Sequence, residues 1–268
     1  MAYPLLQDNE FYVFQKLIFQ DAGINLNDNK KFLVQSRLLK RIIYYQLQSY
    51  ADYLRLVQVD PVERTEMVNL LTTNETYFFR EIEHFEYLQK VILPNHPCQS
   101  KFRVWSAAAS VGAEAYSIAM LLDTLLPKNS WEIYATDINS DVVKKARVGL
   151  YPERWIEKIP SHFRLRYCFK GKNNYEGKFL VDRSLIENIK FEQGNLLDPK
   201  GEIGSFDLIF LRNVLIYFDT ATKQKVVDNV IAHLVPGGYF YISHTENLNM
   251  LDISQLEQIK TAIYRKKR

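Results

Sequence analysis

The chain has 268 residues, 47% of them apolar and 24% charged, and a net charge of +3. This is an ordinary globular composition with room for one large or two small domains; it excludes a disordered chain and leaves a nucleic-acid partner unforced. No apolar run approaches the ~20 residues that cross a bilayer, so no membrane insertion is expected. The five histidines and the two cysteines, Cys98 and Cys168, show no CxxC or HExxH spacing. With no signal peptide at the start, the expectation is a cytoplasmic protein with reduced thiols and no metal.

Residues 1–73 read as an all-helical domain. Phe11, Phe14, Leu17 and Ile18 recur at helical spacing, and Gly23 can close that helix. Asn27 can cap a second helix running from Asp28 to about Gln48. On it Phe32, Leu39, Ile42 and Ile43 are expected on the buried face, with Lys30, Arg37 and Arg41 opposite and Lys31 and Lys40 nearby. Between residues 30 and 55, six Lys/Arg stand against one acid, Asp52. That is a solvated face or a docking surface for an acidic partner. Asp60-Pro61 reads as a cap and first-turn proline opening a helix to about Leu71. The stretch 73–80, TNETYFFR, is a poor helix face, with Asn and Thr beside three aromatics, and it ends in Arg80 just before a helix from Glu83 to about Leu93.

From Lys101 strands and helices alternate, which predicts a mostly parallel sheet. Strands are expected at 102–106, 131–136, 206–211 and 239–243, helices at 114–126, 140–148 and 221–234, a turn at Pro236-Gly237-Gly238, and a final edge strand at 262–266. Between about 150 and 192 the alternation breaks at Tyr151-Pro152, Pro160-Ser161 and the 171–174 GKNN run. Short strand-like runs at 178–181 and 189–191 predict a small antiparallel β-subdomain, about 163–192, inserted in a sheet domain spanning 74–268.

The loop 106–114 joins a strand to a helix, the arrangement that builds a cofactor site at the carboxyl edge of a sheet. A dinucleotide pyrophosphate needs several glycines for close backbone approach, and this loop has one, Gly112. That argues against a nicotinamide-dependent dehydrogenase and for a nucleoside carrying no phosphate, such as S-adenosylmethionine (SAM). Asp137, ending the second strand, can accept from ribose hydroxyls, and Glu114 can meet an ammonium group or shape the site. Asn195, in GNLLD, can read an adenine edge by side chain or backbone. Asn213 sits at the carboxyl end of the strand FDLIFL, with Tyr217 four residues on.

Together NETYFFRE (74–81), RVWSAAASVGAEAYSIAM (103–120), ATDINSDVVKKARVGLY (135–151), GNLLD (194–198), FDLIFLRNVLIYFD (206–219) and GGYFYISHTENL (237–248) resemble the chemotaxis-receptor glutamate O-methyltransferases, the CheR family, over nearly the whole chain. The resemblance implies an α/β class I SAM-dependent methyltransferase fold, Rossmann-like, with an N-terminal all-α domain and the inserted antiparallel β-subdomain. It implies cofactor contacts from Asn74, Thr76, Arg80, Glu114, Asp137, Asn195, Leu196, Asn213 and Val214, with Arg80 and Tyr217 nearest the transferred methyl group. The basic second helix, with Lys30, Arg37, Lys40 and Arg41, resembles the family's receptor-facing surface. The β-subdomain resembles the part that in some members docks a peptide at a receptor's C-terminus. The family's loop usually reads S-T-G-E-E-P-Y-S; here 110–117 reads SVGAEAYS, keeping the second acid as Glu114 but replacing the first acid and the proline by Ala113 and Ala115. These departures bear on cofactor affinity.

The implied reaction converts receptor glutamates to methyl esters, with S-adenosylhomocysteine as the other product. A glutamate with a pKa near about 4.3 is already ionised at neutral pH, so no general base is needed. Arg212-Asn213-Val214-Leu215 lacks the Asn/Asp-Pro-Pro-aromatic motif of base methylation, so no nucleic-acid substrate is expected. A monomer is expected. The altered loop also admits an alternative, a catalytically weak or inactive SAM-binding signalling module that docks receptors or other proteins.

Overall fold

The computed structural model describes residues 3–96, 100–199 and 203–268. Cys98 lies outside these. The chain opens with α1 (Asp8–Ala22), whose buried face is Phe11, Phe14, Leu17 and Ile18. It ends at Gly23, in the left-handed region at φ +70°; a Cβ there would also come within 2.8 Å of Thr222 on the sheet domain. The helical domain therefore presses directly on the domain behind it.

A 3-10 turn, Asp28–Lys30, leads into α2 (Lys31–Tyr44). Its buried residues are Val34, Leu38 and Ile42, one turn apart, whereas Phe32 and Ile43 are exposed. The expected apolar face is thus rotated. The cause is visible in the two arginines placed on the solvent side by sequence, which turn inward. Arg37 donates to the carbonyls of Leu71 and Thr72 at 3.0 and 2.9 Å, satisfying the open C-terminal end of a later helix. Arg41 donates to both carboxylate oxygens of buried Glu63, which also accepts from Tyr53 at 2.6 Å and Tyr45 at 3.0 Å. A buried carboxylate with that many donors locks together the three helices that carry Arg41, Tyr53 and Glu63, and removing Arg41 alone would leave its charge unpaired.

After α3 (Tyr50–Val59) comes α4 (Pro61–Leu71), capped as expected: the Asp60 carboxylate accepts from the Val62 and Glu63 amides, and Pro61 holds the first position. α5 (Ile82–Tyr87) runs into a π turn, Leu88–Ile92.

The main sheet is built from β1 (Phe102–Ala107), β2 (Trp131–Asp137), β6 (Ile189–Gln193), β7 (Phe206–Leu211), β8 (Leu234–Tyr241), β9 (Leu256–Lys260) and β10 (Ile263–Lys266), in the order β6-β2-β1-β7-β8-β10-β9. The first five run parallel; β10 and β9 close the sheet antiparallel. α6 (Ala113–Leu125), α7 (Ser140–Val148) and α9 (Thr220–Ala232) supply the connections. Ser106 lies level with Ala135 and Phe210, so the loops leaving β1, β2 and β7 meet at one edge.

Three expectations change here. The run 189–191 belongs to the main sheet as β6, because it continues the parallel ladder beside β2. The small antiparallel sheet is instead β3 (Leu150–Pro152), β5 (Lys178–Val181) and β4 (Cys168–Lys170), with α8 (Ser161–Tyr167) between the first and last of these in sequence. Pro236-Gly237-Gly238 lies within β8, at an irregular register against β7, and the expected edge strand β10 is covered by β9. The insert is held by an aromatic cluster: Phe78 meets Tyr151 edge-on at 4.9 Å, and Tyr151 stacks on Trp155 at 5.8 Å.

Candidate active site

A cleft lies where the carboxyl edge of the sheet meets the helical domain; Ala22 and Ile24 of that domain close one side. Its innermost wall is the loop after β1. Ala108 and Ser110 are left-handed at φ +66° and +53°, uncommon for non-glycine residues, and Gly112 follows at +87° with only 2.8 Å between a hypothetical Cβ and Ala146. This winding aims the Ser110 amide at Asp137, 2.8 Å away, while the Asn139 amide donates to the other carboxylate oxygen at 2.9 Å. Asp137 is buried, and burial pushes its carboxyl up to about 6 against the pull of those backbone bonds. Each oxygen keeps an acceptor position for a ligand hydroxyl.

Glu114, in the first turn of α6, accepts from Ser106 Oγ at 2.6 Å and from Arg212 Nε at 2.8 Å. Arg212 was not singled out by sequence. It is a buried hub whose Nη1 also donates to the Arg80 carbonyl at 2.8 Å and to His84 Nδ1 at 2.9 Å. Burial and the adjacent guanidinium depress His84 to about 3, so the imidazole is neutral and accepts. Glu81, His84 and His244 carry potential metal-ligand atoms within 4.8 Å of one another. The Arg212 guanidinium already supplies the cation there, so the cluster reads as an arginine clamp. A charged residue directly after the apolar strand FDLIFL was the signal for it.

The segment 74–80 forms the opposite wall. Asn74 presents its carbonyl to Ser110 Oγ at 2.8 Å, and Asn74, Thr76 and Arg80 all border the cleft. Phe79 and Glu81 are left-handed, at φ +52° and +57°. Together with the Phe79 amide, which donates to Ser117 Oγ at 2.9 Å, this turn points Arg80 away from the core. The Arg80 guanidinium donates to the Glu75 carbonyl at 3.2 Å and lies 5.5 Å from the Tyr77 ring centre.

Asn195, Leu196, Asn213, Val214 and Tyr217 complete the lining. The Asn195 side chain is committed elsewhere: it donates to the Asp21 carbonyl at 2.8 Å and accepts from the Leu197 amide. The side-chain way foreseen for reading an adenine edge is thereby taken up, and on the backbone the Asn195 carbonyl receives the Asp198 amide at 3.1 Å. Asn213, left-handed at φ +58°, turns its amide to Ser243 Oγ at 2.7 Å, while Glu246 receives the Asn213 and Leu215 amides. Glu246 and Ser243 are further supports that sequence reading missed. Tyr217 is half-buried, which raises its phenol above the ordinary value, and the Asn25 amide holds its carbonyl at 2.8 Å. Outside the cleft Lys30 and Lys40 are exposed on the surface of the helical domain, while Arg37 and Arg41 are engaged as described.

The residues fit SAM. A buried carboxylate faces the cleft, a charge-balanced acid sits at the first turn of α6, and the single-glycine loop offers no phosphate cradle. Residues 9–72 match the CheR methyltransferase all-alpha domain, and residues 74–264 match the CheR methyltransferase SAM-binding domain. The chemotaxis protein methyltransferase of Escherichia coli is 38% identical over 254 residues, covering 92% of this chain and 87% of that protein. That of Borreliella burgdorferi is 34% identical, covering 94% and 92%, and chemotaxis protein methyltransferase 2 of Pseudomonas aeruginosa is 37% identical, covering 91% of each. The chain belongs to the CheR family of SAM-dependent methyltransferases.

Proposed function

We propose that this protein methylates glutamate side chains in the cytoplasmic domain of chemotaxis receptors. The observation that carries this reading is the division of the cleft into an enclosed wall around Asp137 and an open mouth holding Arg80 and Tyr217. A carboxylate acceptor is ionised before it arrives, so a mouth with an arginine and a phenol is sufficient. When bound, SAM supplies an electrophilic methyl group on a sulfonium centre.

The chain's own task is placement. Asp137 holds the ribose hydroxyls, Glu114 the amino-acid end, and the backbone at Asn195 and Leu196 the adenine, with Asn74, Thr76, Asn213 and Val214 filling the remaining contacts. Arg80 orients the incoming carboxylate; its bond to the Glu75 carbonyl keeps it from forming so tight an ion pair that nucleophilicity is lost. Tyr217 donates a hydrogen bond to the acceptor. Lys30 in the turn before α2, and Lys40 on α2 with exposed Phe32 and Ile43, form the surface that meets the receptor, and Arg37 and Arg41 support that surface from behind. The small sheet, whose edge strand β4 exposes Phe169, is the place for a receptor's C-terminal peptide. Methylation removes a negative charge from the receptor, and that change is the signal. The protein works as a monomer in the cytoplasm; among the described residues no helix is long and apolar enough to cross a membrane.

The test is incubation with methyl-labelled SAM and receptor cytoplasmic fragments. Base-labile label on glutamates is the expected result. SAM binding without transfer to any receptor fragment would overturn the proposal.

A further inference from the structure

We infer that the insert supplies a substrate-recognition residue, Lys158, which lies against the same Tyr77 ring as Arg80 and with it makes a two-cation mouth for an acidic helix. This rests on the proposed reaction and names the acceptor surface that the mouth selects.

Tyr77 is exposed, and its neighbour Thr76 and Arg80 both border the cleft. The Arg80 guanidinium lies 5.5 Å from its ring centre, and Lys158 Nζ lies 5.7 Å from the same centre. Lys158 ends the 3-10 segment Glu153–Lys158, which arrives from the other side of the sequence, between β3 and α8. Its position is fixed by packing. Phe78, next to Tyr77, sits edge-on to Tyr151 and to Trp155 of the same segment, and Tyr151 donates to the Val111 carbonyl of the cofactor loop at 2.6 Å. The aromatic cluster that docks the insert therefore also delivers its lysine to the mouth.

Among the described residues neither Arg80 nor Lys158 is in an ion pair; Arg80 donates instead to the Glu75 carbonyl, and Glu157, next to Lys158 in sequence, is exposed. Two free cations on one aromatic ring lie within two helical turns of each other, roughly 11 Å. Acids one or two turns apart on a helix fall on one face at that spacing. Arg80 orients the acceptor glutamate, and Lys158 takes a second acid on the same face. Holding the neighbour rather than the acceptor gains affinity without blunting the nucleophile. The partner this mouth fits is a helix with a second carboxylate one or two turns from the methylated one.

The experiment compares wild type, Lys158→Ala and Lys158→Glu on a receptor cytoplasmic fragment, with acids one and two turns from the acceptor changed singly to Gln. Two readouts are used: fragment affinity in the presence of S-adenosylhomocysteine, and methyl-transfer kinetics. Lys158→Ala should weaken fragment binding and raise KM by about three- to fivefold, with kcat unchanged, the range of a partly exposed ion pair. Lys158→Glu should weaken binding further. One of the Gln substitutions in the fragment should remove the sensitivity to Lys158. Unchanged binding by Lys158→Ala, or an equal loss on every fragment variant, overturns the inference. Binding that follows these expectations without methyl transfer would overturn the proposed reaction and leave the two-cation mouth standing.

Discussion

The two walls of the cleft are built on opposite plans. Around Asp137 and Glu114 the polar groups are buried and bonded to the protein before a ligand arrives: Asp137 by two backbone amides, Glu114 by Ser106 and Arg212. Around Arg80, Tyr77 and Lys158 the cations stand at the surface, held by one carbonyl and an aromatic ring. The cofactor wall is preorganised, which lowers the cost of binding a ligand of fixed shape. The acceptor wall is left for the substrate to complete, as suits a reaction whose second reactant is another protein.

Removing the support of the first wall should have the largest effect. Arg212→Leu strands Glu114 and Glu81 in the interior; the expected loss is about 3–5 kcal/mol, read as a fall in Tm of roughly 10 °C. A Tm near that of wild type would show that the clamp is dispensable. Breaking the second wall should spare the fold. Arg80→Ala should keep its Tm and circular dichroism while turnover drops about a hundredfold, and near-wild-type rates would reject the orienting role.

Asp137→Asn replaces an acceptor by a group that presents a donor to the Ser110 or Asn139 amide. SAM affinity should fall about ten- to a hundredfold by calorimetry, and an unchanged Kd would place the ribose elsewhere. The smallest effect is on pH. If Asp137 holds the ribose as proposed, its ionised form is the better acceptor, and SAM affinity should be flat above about 6 and weaken as the pH falls through it. The stability of the empty protein runs the other way. A carboxyl raised from 3.8 to about 6 by folding binds more protons folded than unfolded, so its contribution declines as pH rises across that window. Denaturant titrations across the same pH range check the sign, and an affinity that does not fall on acidification would contradict the assignment.

What the sequence determined by itself is local in origin. The parallel alternation, the cap at Asp60-Pro61, the closing Gly23 and the pairing of loop 106–114 with Asp137 each follow from a short pattern with its own mechanism. The CheR resemblance rested on several such patterns in register. What only the tertiary structure decided depends on partners distant in sequence. Arg37 and Arg41 carry the same periodicity as a solvated basic stripe, and turn inward because α4 offers open carbonyls and a buried Glu63. The run 189–191 looks like one more strand of the insert until β2 pairs with it in parallel. Arg212 gains its role from Glu114 and the Arg80 carbonyl, and Lys158 reaches Tyr77 through an aromatic cluster whose members are far apart in the chain. A side chain's periodicity tells which way it faces along its own element; which charge, carbonyl or ring it meets is set by how the elements pack.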